Sequence, residues 1–262
     1  MDTVFQTGYA SRVIAPGIEL IIGDSTKILP MIDDLSYDLC FLDPPYNVGK
    51  NYGQGAKKDR MEDWVYDLFV SSILFQSLRI AKLVVATPGC HLQHIWMRPP
   101  HYLTIWYKGM SGVVNIRSLK FGRSFISYEP VIWYTRRPDL IFVDIKNYLC
   151  GPPEPGRGGH PNSKPLWLMN EILRMAKMES VIDPFCGTGT MLQAAQYQGY
   201  RALGIELNPE YEAIITSRFS QQLMELTAPR PQQLTIEEEQ NAERIEIGSA
   251  QIPGESELTQ GI

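Results

Sequence analysis

Cysteine is scarce and scattered in this chain. Its four residues, Cys40, Cys90, Cys150 and Cys186, form no C-x-x-C pair. That spacing excludes a disulfide framework, and the four are expected to be reduced thiols of a cytoplasmic protein. Long apolar runs are also absent. No stretch is long enough to span a bilayer, and no basic segment followed by an apolar one opens the chain, so neither a membrane segment nor a signal peptide is expected. Cys90-His91-x-x-His94 has no second ligand pair at zinc spacing, so no metal is expected. The H-x-E and P-C-x-x-C pair of the zinc deaminases is missing, and there is no internal repeat. A basic excess is missing as well, since the net charge is −5.

That charge is unevenly spread. Residues 225–262 carry eight Glu against two Arg, which leaves the preceding 224 residues at +1. Within those, residues 97–177 hold twelve Lys or Arg against five Asp or Glu. A basic middle on a near-neutral body suits phosphate contacts, although a solvated face of scattered charge has the same composition. At 262 residues and 44% hydrophobic content, the chain has room for one large α/β domain or two small ones.

Strand and helix signals alternate. Gly17 to Gly23, Tyr37 to Leu42, Lys82 to Thr87, Val181-Ile182 and Ala202 to Ile205 read as buried strands. Residues 102–108 and 130–135, rich in aromatic and β-branched side chains, read as a late strand pair. Helices are expected over 61–80 (Trp64, Leu68, Ser71, Phe75 and Leu78 at helical spacing), from Pro165 to Lys177, from Thr190 to Gly199, and from Pro209 along Tyr211, Ile215, Phe219, Leu223 and Leu226. Residues 47–60 and 150–163 are rich in Gly with Lys or Pro and read as loops. The alternation implies a doubly wound, mostly parallel sheet. Four strands then end in an acid: Asp24, Asp43, Asp183 and Glu206. Parallel strands would bring all four to one edge, where buried unpaired carboxylates are too costly to be idle.

Asp43-Pro44-Pro45-Tyr46 combines an acceptor, a backbone stripped of two donors and a flat ring, which suits the grip of an amino group on an aromatic base. Asp183-Pro-Phe185-Cys186-Gly187-Thr188-Gly189-Thr190 is a glycine loop between strand and helix. Leu192 stands where a dinucleotide-binding loop needs its third glycine. Glu206 follows 23 residues after Asp183, where an acid in the dinucleotide folds bonds ribose hydroxyls.

These segments resemble motifs IV and I of the S-adenosylmethionine (SAM)-dependent DNA amino-methyltransferases. Gly204 to Tyr211 resembles motif II, Gly23-Asp24 the acid that holds the cofactor's adenine, and His160 to Pro165 motif X over its methionine end. Motif IV precedes X, I and II, a circular permutation similar to that of the β class, and the resemblance spans about residues 18–220. It implies a Rossmann-like methyltransferase fold over 1–225, with target recognition within about 109–160 and an acidic, disordered tail at 226–262. It implies SAM as cofactor, held by Asp24, Lys164, Asp183, Phe185, Cys186, Gly187, Thr188, Gly189, Thr190 and Glu206, and transfer carried by Asp43, Pro44, Pro45 and Tyr46. DNA is the implied substrate, its base flipped out onto Tyr46, with Tyr52, Trp106 or Tyr107 as a second wall. Core packing suits Trp106 at least as well. Asp at the head of motif IV tilts the family toward adenine N6 rather than cytosine N4. An inactive SAM- or DNA-binding module and an RNA substrate stay open, and relatives of this class often form homodimers.

Overall fold

The computed structural model describes residues 9–49, 60–90, 93–97, 101–109, 114–116, 124–138, 144–154 and 163–227. Contacts divide the chain into Met1–Gln222 and Leu223–Ile262, and of the second unit only the helical backbone to Thr227 is described. Among the described residues no helix is long and apolar enough to cross a membrane.

Among the described residues of the first unit, the main sheet has nine strands: β1 (Arg12–Ala15), β2 (Ile18–Ile22), β3 (Tyr37–Leu42), β4 (Ala81–Ala86), β5 (His101–Tyr107), β8 (Tyr128–Tyr134), β9 (Tyr148–Cys150), β10 (Ser180–Asp183) and β11 (Arg201–Glu206). Their order across the sheet is β1-β2-β11-β10-β3-β4-β8-β5-β9. The middle five, β2, β11, β10, β3 and β4, run parallel, while β1 and β8 pair antiparallel with their neighbours. The expected late pair, β5 and β8, is antiparallel in continuous register from His101↔Tyr134 to Tyr107↔Tyr128. Separately, β6 (Val114–Ile116) and β7 (Ser124–Ile126) form a two-stranded ribbon.

The strands are apolar on both faces, as parallel strands between helical layers must be. Alternate residues feed two cores. Leu39, Phe41, Leu83, Val85 and Val181 join α4 (Leu166–Ala176), α5 (Thr190–Tyr197) and the Ile215 and Phe219 side chains of α6 (Glu210–Thr227). Cys40, Leu42, Val84, Ala86 and Ile182 join α1 (Ser25–Ile28), α2 (Asp63–Ile80) and α3 (Gln93–Trp96). The result is a helix–sheet–helix sandwich.

Two expectations change in detail. In α2 the buried stripe is Tyr66, Val70, Ile73, Leu74, Ser77 and Ile80. Trp64, Leu68 and Phe75, whose spacing announced the helix, are exposed, and the Arg136 guanidinium lies 5.2 Å from the centre of the Phe75 ring. Of the described part of the loop expected over 150–163, only Cys150 is strand: it ends β9, which adds to β5 in parallel and places Leu149 in the core. The expected loop at 47–60 lies largely outside the described residues, as does most of 150–163.

Candidate active site

Strand order reverses between β10 and β3: the chain leaves β10 toward β11 and β2, and leaves β3 toward β4. Such a switch point opens a crevice beyond the carboxyl ends of the strands. Asp183 ends β10, Asp43 follows β3, and Glu206 ends β11 in register with Ile22 of β2, just before Asp24. The four acids therefore share one edge.

Asp43 stands at the centre of a hydrogen-bonded cluster. Its Oδ1 accepts from the Tyr46 hydroxyl at 2.6 Å, the Lys164 ammonium at 2.8 Å and the Thr87 hydroxyl at 3.1 Å. Lys164 also donates to the Tyr46 oxygen, and its Nζ lies 5.0 Å from the centre of that ring. Tyr46 rests on Gly89, where the backbone has φ +68° and a Cβ would come within 3.3 Å of the ring. The Pro45 carbonyl accepts from the Tyr66 hydroxyl at 3.0 Å, while none of the described hydrogen bonds ends on the carbonyl of Pro44, a buried residue. Below the tetrapeptide the Asn47 side chain, on a residue with φ +58°, clasps both the N–H and the carbonyl of Met61 (2.6 and 3.0 Å).

Two residues that sequence reasoning passed over complete the cluster. Glu129 of β8 takes a bond from the Lys108 ammonium on one oxygen, and its other oxygen lies 3.3 Å from Lys164 Nζ. Burial pushes the Glu129 carboxyl upward, but Lys164 and Lys108 outweigh this and hold it below the usual carboxylate range. For Lys164, burial pulls downward, and the carboxylates of Asp43 and Glu129 outweigh it, so the ammonium persists above the ordinary lysine range. A charged residue within the apolar run YEPVIWY was the available signal for Glu129. Lys164, expected at the cofactor's methionine end, thus touches the Asp43 group. Two of the cations counted toward a phosphate-binding surface, Lys108 and Lys164, are buried here. Lys146 and Arg174 pair with Glu171, and Lys177 with Asp144.

The glycine loop turns at Gly187 (φ +53°) and Gly189 (φ +80°), and Gly189 caps α5. Its side chains mostly face inward. Asp183 is buried and accepts from its own loop's Phe185 N–H at 3.0 Å. Burial, with the Asp43 and Glu206 carboxylates adding, drives its carboxyl well above the usual range against that one N–H. Phe185 packs edge-on to Phe69. Cys186 is buried under Gly204, where a Cβ would lie 2.9 Å from its sulfur. Thr188 pairs with Ser163 at 3.0 Å, and the Thr190 hydroxyl accepts from Arg218 at 3.2 Å. Glu206 accepts the Gly187 and Asn208 N–H groups at 2.9 and 2.8 Å, one on each oxygen. Burial pushes its carboxyl up to about 6. Asp24 accepts from the Thr26 N–H at 3.0 Å and so caps α1.

Of the walls expected for a planar guest, Trp106 is core: it is 2% exposed and its indole donates to the Gly151 carbonyl at 2.9 Å. Tyr107 stacks on Tyr148, and Tyr52 lies outside the described residues, as do Lys57, Arg117, Lys120, Arg123, Arg157 and His160. Cys90 bonds the Tyr128 carbonyl at 3.1 Å.

The DNA methylase family model matches residues 91–217. The chain is 28% identical over 237 residues to DNA adenine methyltransferase YhdJ of Escherichia coli K12, covering 73% of this chain and 79% of that one. It is 23% identical over 224 residues to type II methyltransferase M.HpaI of Haemophilus parainfluenzae, covering 73% and 71%. In fold it is similar to the cytosine-N4-specific PvuII DNA methyltransferase (TM-score 0.57, 16% identity, 77% of this chain and 85% of that chain). It is also similar to the M1.HpyAVI–SAM complex (TM-score 0.54, 17% identity, 77% and 98%).

Proposed function

We propose that the chain is a DNA methylase of the N6-adenine/N4-cytosine kind, whose family model matches residues 91–217, and that it transfers a methyl group from SAM to the N6 amine of adenine in DNA. The observation that carries this reading is the Asp43 carboxylate beside a tyrosine ring and the Pro44 carbonyl at the switch-point edge. The sequence likeness to an adenine methyltransferase and an acid rather than a serine at position 43 favour adenine over cytosine.

The residues present fit the cofactor. Each Glu206 oxygen holds one backbone N–H, and an ionised carboxylate offers about four acceptor positions. Its free positions suit ribose hydroxyls. Asp24 is partly exposed at the neighbouring strand end and suits an adenine amine. Gly187 leaves its stretch of loop backbone without side-chain cover, whereas Gly189 is packed against Ile215 and Phe219. In this reading the inward-facing Asp183, Cys186 and Thr188 hold the loop's shape, and its backbone meets the ligand. Bound there, SAM supplies a methyl group activated by its sulfonium.

The chain's own part is to create a nucleophile. The lone pair of an exocyclic amine is delocalised into its ring. With one N–H donated to Asp43 and the other to the Pro44 carbonyl, the nitrogen moves toward sp³ and the pair is localised on it. Tyr46 stacks on the flipped base, an interaction of about 1–3 kcal/mol per base. Its hydroxyl and ring are already pinned by Asp43, Lys164 and Gly89, so little ordering is left to be done on binding. The proton that the amine loses passes to Asp43 and on to solvent. A water-poor, preorganised set of acceptors contributes most of the rate in such a site.

The test is to incubate the chain with labelled SAM and unmethylated DNA, then identify the modified nucleoside by mass spectrometry. N6-methyladenine supports the proposal. N4-methylcytosine keeps the mechanism and changes the substrate, and SAM binding without transfer to any DNA overturns it.

A further inference from the structure

We infer that Glu129 is a positioning residue for this reaction: its ion pair with the Lys164 ammonium balances the pull of Asp43 on that charge and keeps the Asp43 carboxylate available to the target amine. The inference rests on the methyltransferase reading above.

An ammonium has three N–H donors and no acceptor. Two of those of Lys164 go to Asp43 Oδ1 at 2.8 Å and to the Tyr46 hydroxyl, and Glu129 Oε2, which takes no hydrogen bond itself, lies 3.3 Å from the ammonium as its second ion-pair partner. The side chain is 7% exposed, so water offers little replacement for a lost partner. Without Glu129, the ammonium has Asp43 as its one remaining ion-pair carboxylate among the described residues and is drawn wholly toward it. The lone pairs engaged there are the ones the amine needs. Glu129 is itself fixed from behind by Lys108, which bonds its other oxygen and lies 4.8 Å from the centre of the Trp106 ring. The array Lys108–Glu129–Lys164–Asp43 thus alternates in sign and sums to zero. Glu129 and Lys108 come from β8 and the end of β5, whose register sets Trp106 opposite Glu129. The antiparallel end of the sheet is in this way wired to the parallel switch point. The shifts of Glu129 downward and Lys164 upward agree with a pair that stays ionised.

A purely structural Glu129 makes a different forecast from a positioning one. Loss of a buried partner leaves an uncompensated charge and costs stability, but it leaves kcat of the folded fraction alone. The experiment therefore compares the full chain with Glu129→Asp, Glu129→Gln and the double variant Lys108→Met/Glu129→Leu. The double variant removes one charge of each sign, keeps the array neutral and leaves Lys164 without its second carboxylate. Steady-state transfer from labelled SAM to unmethylated DNA is measured beside the ¹⁵N signal of the Lys164 ammonium, identified by its loss in Lys164→Met.

The expected result is a kcat lowered about 10- to 100-fold in Glu129→Gln and in the double variant, the range seen when an outer partner that orients a reacting group is removed. KM for DNA and for SAM changes less than about threefold, as for an interaction that matters chiefly in the transition state. Glu129→Asp lies between these variants and the wild type, and the Lys164 signal shifts in each. Folded variants with wild-type kcat and an unmoved Lys164 signal overturn the inference. If the wild-type chain transfers no methyl group, the proposed function fails, while the ammonium signal still decides whether Glu129 holds Lys164.

Discussion

At the residue scale, the site separates into a group that handles the base and a group that holds the cofactor, and substitutions separate them too. Tyr46→Phe keeps the ring and loses the bond to Asp43. Tyr46→Ala also loses the stacking surface. We expect Tyr46→Ala to weaken binding of DNA with a flipped target by about 1–3 kcal/mol, and Tyr46→Phe to spare that binding while lowering kcat. Fluorescence of a base analogue at the target position reads the first, and single-turnover transfer the second. Glu206 gives a pH signature. Its folded carboxyl lies at about 6 against a reference of 4.5, so the ionised form is disfavoured in the fold. Above pH 6 that charge costs up to about 2 kcal/mol of stability, and the cost is relieved as pH falls from 6 toward 4.5. Cofactor binding runs the other way, because ribose hydroxyls need an ionised acceptor. SAM affinity measured by calorimetry should drop as pH falls below about 6, and Glu206→Gln should flatten that dependence. Asp43, Tyr46 and Glu206 were legible in the sequence because each ends or follows a strand that can be read locally. Glu129 was not, because its meaning depends on a strand register and on partners at positions 108 and 164.

At the element scale, the parallel strands and the helices were readable from apolar runs and helical spacing, since short-range patterning determines both. What patterning did not settle was orientation. Helix α2 is apolar on two faces, and only packing against β3 and β4 selects the Tyr66–Val70–Ile73 stripe over Trp64 and Leu68. Strand β9, three residues long, depends wholly on its pairing with β5. The close fit of α5 to the sheet is also tertiary: at Gly204 a Cβ would lie 2.6 Å from Leu192 Cδ1 and 2.9 Å from Cys186 Sγ. Both neighbours are buried, so Gly204→Ala should cost about 1–3 kcal/mol, lower the Tm and weaken SAM binding by shifting the loop over Cys186. A contrasting case is the end of α4. Lys177 holds φ +51° there as the cap, and its ion pair with Asp144 is solvent-exposed. Because a non-glycine residue pays about 1–2 kcal/mol in this region and an exposed pair returns little, Lys177→Gly should raise the Tm by a few degrees in a thermal melt.

At the scale of the whole molecule, charge and topology act together. The switch point concentrates carboxylates, which suits an amine donor and a cofactor but repels a phosphate backbone. In the proposed reaction DNA is met by cations outside the cluster, since several of the basic residues in 97–177 are committed to internal ion pairs. The segments 50–60 and 117–123 carry Lys50, Lys57, Lys58, Arg60, Arg117, Lys120 and Arg123, and these are candidates together with Arg136, Arg137 and Arg157. If about four of them meet phosphates, the affinity for duplex DNA should fall with salt at a log–log slope of about −3 to −4. A slope near zero would place DNA elsewhere. In the proposed reaction Asp43 serves transfer and not cofactor binding. Single-turnover transfer by Asp43→Asn, measured beside calorimetric SAM binding on the same preparation, tests it most directly. The predicted result is transfer slowed by on the order of 10²- to 10³-fold, as for loss of one aligned polar contact in a water-poor site, with SAM affinity within about threefold of the wild type. Transfer at the wild-type rate, or SAM binding lost together with transfer, would contradict it.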